Sequence, residues 1–259
     1  MGFLDIFKIH FRKELEETGR EPPAEKEING IISVADRLFH TEKKEENLMT
    51  LEAEQVQRLC LIIGKFIQRE GKDEDLTMLA NIFMYLRSHT IDKLDYLRRI
   101  KGTSANIIAE SKECKKYDKK IAAVAREKDP KKRREIIEDL RVIITVMGDI
   151  RKRAEDIDKA INVLRANNDN MRLILKGGYK EKGFKQFKPI SELLKNIREF
   201  YFRATTIKVI QEITGIIKSL DSNLAKQNRR INSLKRKIKK IEKREKQVIA
   251  LMRRYKVAA

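Results

Sequence analysis

The side chains able to do acid–base or metal chemistry are scattered along this chain. Its three histidines, His10, His40 and His89, lie in different segments, with no HExxH or other paired metal-ligand spacing. The two cysteines, Cys60 and Cys114, have no CxxC partner and sit inside helical patterns. They read as small buried side chains, not as a disulfide framework. No glycine loop fits a phosphate or dinucleotide. Gly177 and Gly178 lie between two helical patterns and read as a helix stop. The acid pairs Glu138-Asp139 and Glu155-Asp156 alternate with bases, as surface charge does. The chain is therefore expected to be a non-enzyme, with no catalytic residue, metal site, cofactor or small-molecule substrate.

The chemistry that remains is charge. The 259 residues hold 59 Lys and Arg against 39 Asp and Glu, a net +20. The excess is not evenly placed. Residues 1–103 carry 17 bases against 19 acids, and residues 104–259 carry 42 against 20. Two runs are densest: residues 112–134 with 11 bases and four acids, and residues 226–246 with 11 bases and two acids. The candidate anion-binding residues are Lys112, Lys115, Lys116, Lys119 and Lys120 in the first run. In the second they are Arg229, Arg230, Lys235, Arg236, Lys239, Lys240, Lys243 and Arg244. Such a field attracts polyanions, and the expected partner is an anionic membrane or nucleic acid. Aromatic side chains that stack on bases are absent from these runs apart from Tyr117. Nucleic-acid binding would then rest on phosphates, with little sequence preference.

The elements that position these charges are helices. Charged residues make up 38% of the chain and aromatics 6%, with no Trp and four Pro. This is the composition of long helices, and no run alternates at period two. Residues 3–17 fit a short amphipathic helix, with Phe3, Leu4, Phe7 and Phe11 on a face suited to membrane contact or docking. Residues 1–20 form that element, and Pro22-Pro23 follow as a linker. Residues 24–102 read as a small helical domain of three segments, from about Glu25 to Phe39, from Thr50 to Arg69, and after Asp73, which can cap its helix.

From residue 103 to 259 the pattern is heptad. A weak seam through Ile107, Cys114 and Ile121 is interrupted at Asp129-Pro130. A strong one then runs from Ile136 to Leu175, with ten of twelve positions bulky and apolar. A last helix is expected from Pro189 to about Tyr255, with a phase change near Thr206. Its seam includes Gln227 and Glu245. Arms at 104–175 and 189–255, joined by a loop at 176–188, match in length. The expected fold is all-α: a small N-terminal helical domain followed by a long, basic, antiparallel coiled-coil hairpin. Pairing of the C-terminal seam between two chains, giving a homo-oligomer, is the alternative.

An amphipathic N-terminus joined to a basic helical hairpin resembles the membrane-remodelling proteins of the phage-shock and ESCRT-type families. The resemblance lies in the arrangement of parts and in no motif. It implies a scaffold on the cytoplasmic face of a membrane. No secretory signal is read at the start, and no apolar run approaches the roughly 20 residues that span a bilayer. The expected location is cytoplasmic, peripheral to a membrane. The competing readings are a nucleic-acid- or ribosome-associated coiled coil and a protein-binding adaptor.

Overall fold

A computed structural model describes residues 23–71, 73–177 and 188–254. Among them are six α-helices and no strand: α1 (Pro23–Glu70), α2 (Glu74–Lys115), α3 (Asp118–Arg126), α4 (Pro130–Leu175), α5 (Ile190–Phe200) and α6 (Ala204–Arg254). The expected N-terminal helix, with Phe3, Leu4, Phe7 and Phe11, lies outside the described residues, as does most of the 176–188 loop. No helix among the described residues is long and apolar enough to cross a membrane.

Local chemistry sets the helix ends. Proline stands at the first position of α1 and α4, where its missing N–H costs nothing. Gly71 ends α1 at φ +90°, a conformation that L side chains rarely adopt. Asp73 then caps α2, accepting a bond from the Leu76 amide at 2.9 Å. Asp129 does the same for α4 through Lys131, at 2.8 Å.

Three boundaries differ from the sequence reading. Helix α1 runs unbroken through 40–49, where two separate segments were expected. That stretch is rich in Glu and Lys and holds no Gly or Pro, so nothing stops the helix. Helix α2 passes through Gly102. A mid-helix glycine costs about 1 kcal/mol, which the neighbouring buried Ile100 and Ile107 outweigh. The helix expected from Pro189 onward breaks at Tyr201–Arg203 into α5 and α6. Tyr201 leaves helical geometry there, and its hydroxyl is held by Asp73 at 2.7 Å.

The burial pattern is heptad on all four long helices. On α4, Leu140, Ile143, Met147, Ile150, Ala154, Ile157, Ile161, Leu164, Asn168 and Met171 are all buried. Along α6 the pattern runs from Ile213 to Met252. The same steps of three and four run along α1 from Ala24 through Ile28, Ile31, Ala35 and Leu38 to Phe66. They run along α2 from Leu76 to Cys114. Several positions in these two seams are polar: Glu42, Glu45 and Glu52 on α1, and Thr90, Lys93, Ser104 and Ser111 on α2.

The described chain divides into two compact units. The first comprises 23–38, Thr103–Asp156 and 237–254, and the second Phe39–Gly102 and Ile157–Arg236. In the second unit, Lys101 bonds Glu46 between α2 and α1, and Lys93 meets Met171 on α4. Arg172 bonds Asp221 between α4 and α6, and Gln55 bonds Ser219 between α1 and α6. These contacts close a ring of four helices with antiparallel neighbours. Helix α5 adds Ile190, Leu193, Leu194 and Ile197 to the apolar cluster around Phe66, Phe83 and Ile213. In the first unit, Glu27 bonds Arg244 between α1 and α6, and Arg151 bonds Glu245 between α4 and α6. Glu110 bonds Arg153 between α2 and α4. Helices α4 and α6 are neighbours in each unit, and in the second the pairs Arg172–Asp221 and Asn162–Lys235 run in opposite directions along them. Helix α1 bonds α6 in both units and α2 meets α4 in both, so no two-arm hairpin stands alone.

A polar layer crosses the second unit. The Lys93 ammonium, fully buried, donates to Glu52 Oε2 at 2.5 Å and to Gln227 Oε1 at 2.8 Å. Gln227 Nε2 donates to the same Glu52 oxygen at 2.6 Å, and the Thr90 hydroxyl donates to the other at 2.9 Å. Burial pulls the Lys93 pKa down, while the charge and hydrogen bond of Glu52 hold it up. Glu45 lies two turns away along α1. It is buried, its oxygens accept no hydrogen bond, and the Arg230 guanidinium stands 3.9 Å off.

Burial pushes the Glu45 carboxyl up to about 7, against the pull of Arg230 and Lys93. Between its ordinary 4.5 and that value the folded chain binds more protons than the unfolded one. Stability therefore falls as pH rises through this window, by up to about 1.4 kcal/mol per pH unit. Chemical denaturation at pH 5.5 and 7.5 should show this slope, and Glu45→Gln should flatten it. An unchanged slope in the variant would assign the effect to other groups.

Candidate anion-binding surface

The basic runs of the sequence fall into both units. Lys112 and Lys115 lie in the last turn of α2, Lys116 in the turn that follows, and Lys119 and Lys120 in α3. All five are exposed and belong to the first unit. Lys116 bonds Glu113 and Lys120 bonds Asp139, each at 2.6 Å. The Glu113 carboxyl sits below its ordinary pKa because it accepts the Lys116 bond. Lys112, Lys115 and Lys119 form no hydrogen bond or ion pair with the described residues.

On α6, Lys239, Lys240 and Lys243 lie in the same unit and are likewise unpaired among the described residues. Lys239, Lys243 and Lys246 recur at steps of four and three, so they share a face of the helix. With Glu242, Gln247 and Ala250 they line a shallow groove of about 510 Å³. Arg244 is different. It turns inward to Glu27 at 2.7 Å, and its guanidinium occupies the space where a side chain at Gly30 would stand.

The other four candidates belong to the second unit. Arg230 donates to the Lys44 carbonyl at 2.6 Å beside Glu45, and Lys235 donates to Asn162 at 2.8 Å. Arg236 bonds its own helix at the Asn232 carbonyl, and Arg229 is exposed. The structure therefore gathers Lys112, Lys115, Lys116, Lys119, Lys120, Lys239, Lys240, Lys243 and Arg244 in one unit, and places Arg229, Arg230, Lys235 and Arg236 in the other.

Helix α4 links the two runs of the first unit, bonding Glu110 through Arg153 and Glu245 through Arg151. Its own first turn adds Lys131, Lys132 and Arg133, all exposed, with Arg134 next to them and no acid. Positive charge at a helix N-terminus opposes the macrodipole, and the Asp129 carboxylate that caps α4 sets one negative charge against these four bases. The thiols offer no competing chemistry. Burial and the nearby acids Asp118, Glu110 and Glu113 push Cys114 up to about 12, and burial raises Cys60. Both stay protonated and unreactive near neutral pH. Among the described residues, no three His, Cys, Asp or Glu side chains gather as a metal site.

Two features escaped the sequence reading. One is the polar layer of Glu52, Thr90 and Lys93. The other is a pair of exposed rings, Phe200 and Phe202, at the α5–α6 corner. The sequence signal for the second was the run Arg198-Glu-Phe-Tyr-Phe-Arg203, three adjacent aromatics between two arginines. No protein-family model matches the chain, and comparison with curated proteins finds no significant match.

Like charges this dense repel one another and cost stability until they are screened. Raising sodium chloride from roughly 0.05 to 0.5 M should therefore raise the melting temperature by a few degrees, the shift that about 1 kcal/mol produces at this size. A fall would mean that ion pairs such as Arg153–Glu110 outweigh the repulsion.

Proposed function

We propose that this protein is a non-enzymatic, coiled-coil scaffold that binds an anionic surface through its first unit, on the cytoplasmic face of a membrane. The observation that carries this reading is the set of unpaired lysines at the α2–α3 junction and on α6, with the basic start of α4 in the same unit. Each lysine or arginine near an anionic bilayer contributes about 1 kcal/mol. Six or more acting together hold a protein on the surface without a shaped pocket. Antiparallel α4 and α6 act as the stiff arms that present these charges. The N-terminal segment, with Phe3, Leu4, Phe7 and Phe11, supplies an apolar anchor, which favours membrane over nucleic acid.

Reversal of Lys119, Lys120, Lys239 and Lys240 to Glu tests the reading. Cosedimentation with vesicles of phosphatidylcholine and phosphatidylglycerol should weaken by roughly tenfold or more, and raised salt should act the same way. Deletion of residues 1–20 separates the partners. A membrane scaffold loses vesicle affinity, whereas a nucleic-acid binder keeps its affinity for DNA. A protein that binds neither surface at low salt is not an anion-binding scaffold.

A further inference from the structure

The α5–α6 corner holds two phenylalanine rings in solvent. Phe200 is 76% exposed and Phe202 78%. Neither results from a frayed end. Between them Tyr201 is pinned, its hydroxyl donating to Asp73 at 2.7 Å and its ring edge-on to Phe66 at 5.6 Å. Its amide donates to the Ile197 carbonyl, and on the far side Arg203 bonds Glu70 at 3.2 Å. The Phe200 ring leans on Tyr201, with centroids 4.8 Å apart. The corner is thus tied to the α1–α2 turn from both flanks, and the tie leaves two rings outside. Burying such a ring is worth about 1.5–3 kcal/mol, so this fixed exposure favours an apolar medium.

The surroundings select among the media. Glu199 pairs with Lys195 at 3.8 Å, and Asp75 is held by Lys188 and Asn196, each at 2.9 Å. Counted together, the acids Glu70, Asp73, Glu74, Asp75 and Glu199 are matched by the bases Arg69, Lys188, Lys195, Arg198 and Arg203. A near-neutral corner does not recruit nucleic acid. Protein interfaces surround their anchoring rings with further buried apolar contact. Here Glu199, Arg203, Ala204 and Thr205 are exposed beside the rings, and most are polar. A bilayer interface needs no matching shape. It takes protruding aromatic rings at headgroup depth, with flanking arginines reaching phosphates.

We propose that Phe200 and Phe202 form a membrane-insertion point, burying their rings in the interface of a lipid bilayer while Arg198 faces headgroup phosphates. This rests on the anionic-membrane reading above and adds a second contact, on the second unit and remote in sequence from the N-terminal segment.

The chain has no tryptophan, so Phe202→Trp in the full-length protein gives a single reporter. The probe is a vesicle of phosphatidylcholine and phosphatidylglycerol, made with ordinary or brominated acyl chains. A blue shift of the lone indole emission on binding, quenched by the brominated lipid, is the expected result. The Phe200→Ala/Phe202→Ala variant should keep the wild-type melting temperature and bind these vesicles roughly tenfold more weakly. Vesicle binding by the Phe202→Trp variant with unmoved emission overturns the insertion point and leaves the basic-surface reading standing. Absence of vesicle binding overturns both. A blue shift without lipid that grows with protein concentration overturns it in favour of contact with a second copy.

Discussion

A lysine ammonium with no exposure to water must be neutralised where it stands. Lys93 meets that constraint through side chains from two other helices, Glu52 on α1 and Gln227 on α6, with Thr90 holding the second Glu52 oxygen. Met171 of α4 covers the fourth side. Apolar heptads alone do not choose between registers, because sliding a helix by seven residues returns the same pattern of Leu and Ile. A buried charge has no such freedom. A slip of α1 by one heptad would leave Glu52 facing hydrocarbon, at a cost of several kcal/mol, even in the direction that brings Glu45 opposite Lys93. The layer therefore fixes how α1, α2 and α6 align within the second unit, in the way a single buried polar residue fixes a coiled coil.

That alignment extends to the α5–α6 corner of the second unit. It places Tyr201 beside Asp73, and so sets the α5–α6 corner and its two exposed rings. In the first unit the alignment is set by separate pairs, Glu27–Arg244, Arg151–Glu245 and Glu110–Arg153. These pairs take up inward-facing charges and leave outward-facing lysines without partners. The basic surface is a remainder in this sense. Each pair takes one acid and one base, so the excess of bases present in the sequence stays on the solvent faces.

Much of the helical layout was legible in the sequence. The α4 seam could be read because ten of its twelve positions are bulky and apolar, and the caps Asp73 and Asp129 announced themselves by type and place. The three helical segments of α1 and α2 were read from the same periodicity, but the polar positions that join them into continuous seams were not. Glu42, Glu45, Glu52, Thr90 and Lys93 occupy buried positions that a search for apolar periodicity scores as surface. The charge partner of Lys93, Glu52, lies 41 residues away and its amide partner Gln227 lies 134 away, so the pairing leaves no local trace. The basic runs were visible as composition, but the pairing of Arg244 with Glu27, 217 residues away, leaves no trace in local spacing. Individual pairings of this kind follow from tertiary contact and not from spacing.

The central claim is that the buried layer is neutralised as one unit and holds the helices in register. Chemical denaturation of two variants tests it most directly. Lys93→Leu removes the cation and strands Glu52, and should cost about 3–5 kcal/mol. The triple variant Glu52→Leu, Lys93→Leu, Gln227→Leu replaces the whole layer by hydrocarbon, and should recover wild-type stability or exceed it. A single variant as stable as the wild type, or a triple variant weaker than the single one, would contradict the account.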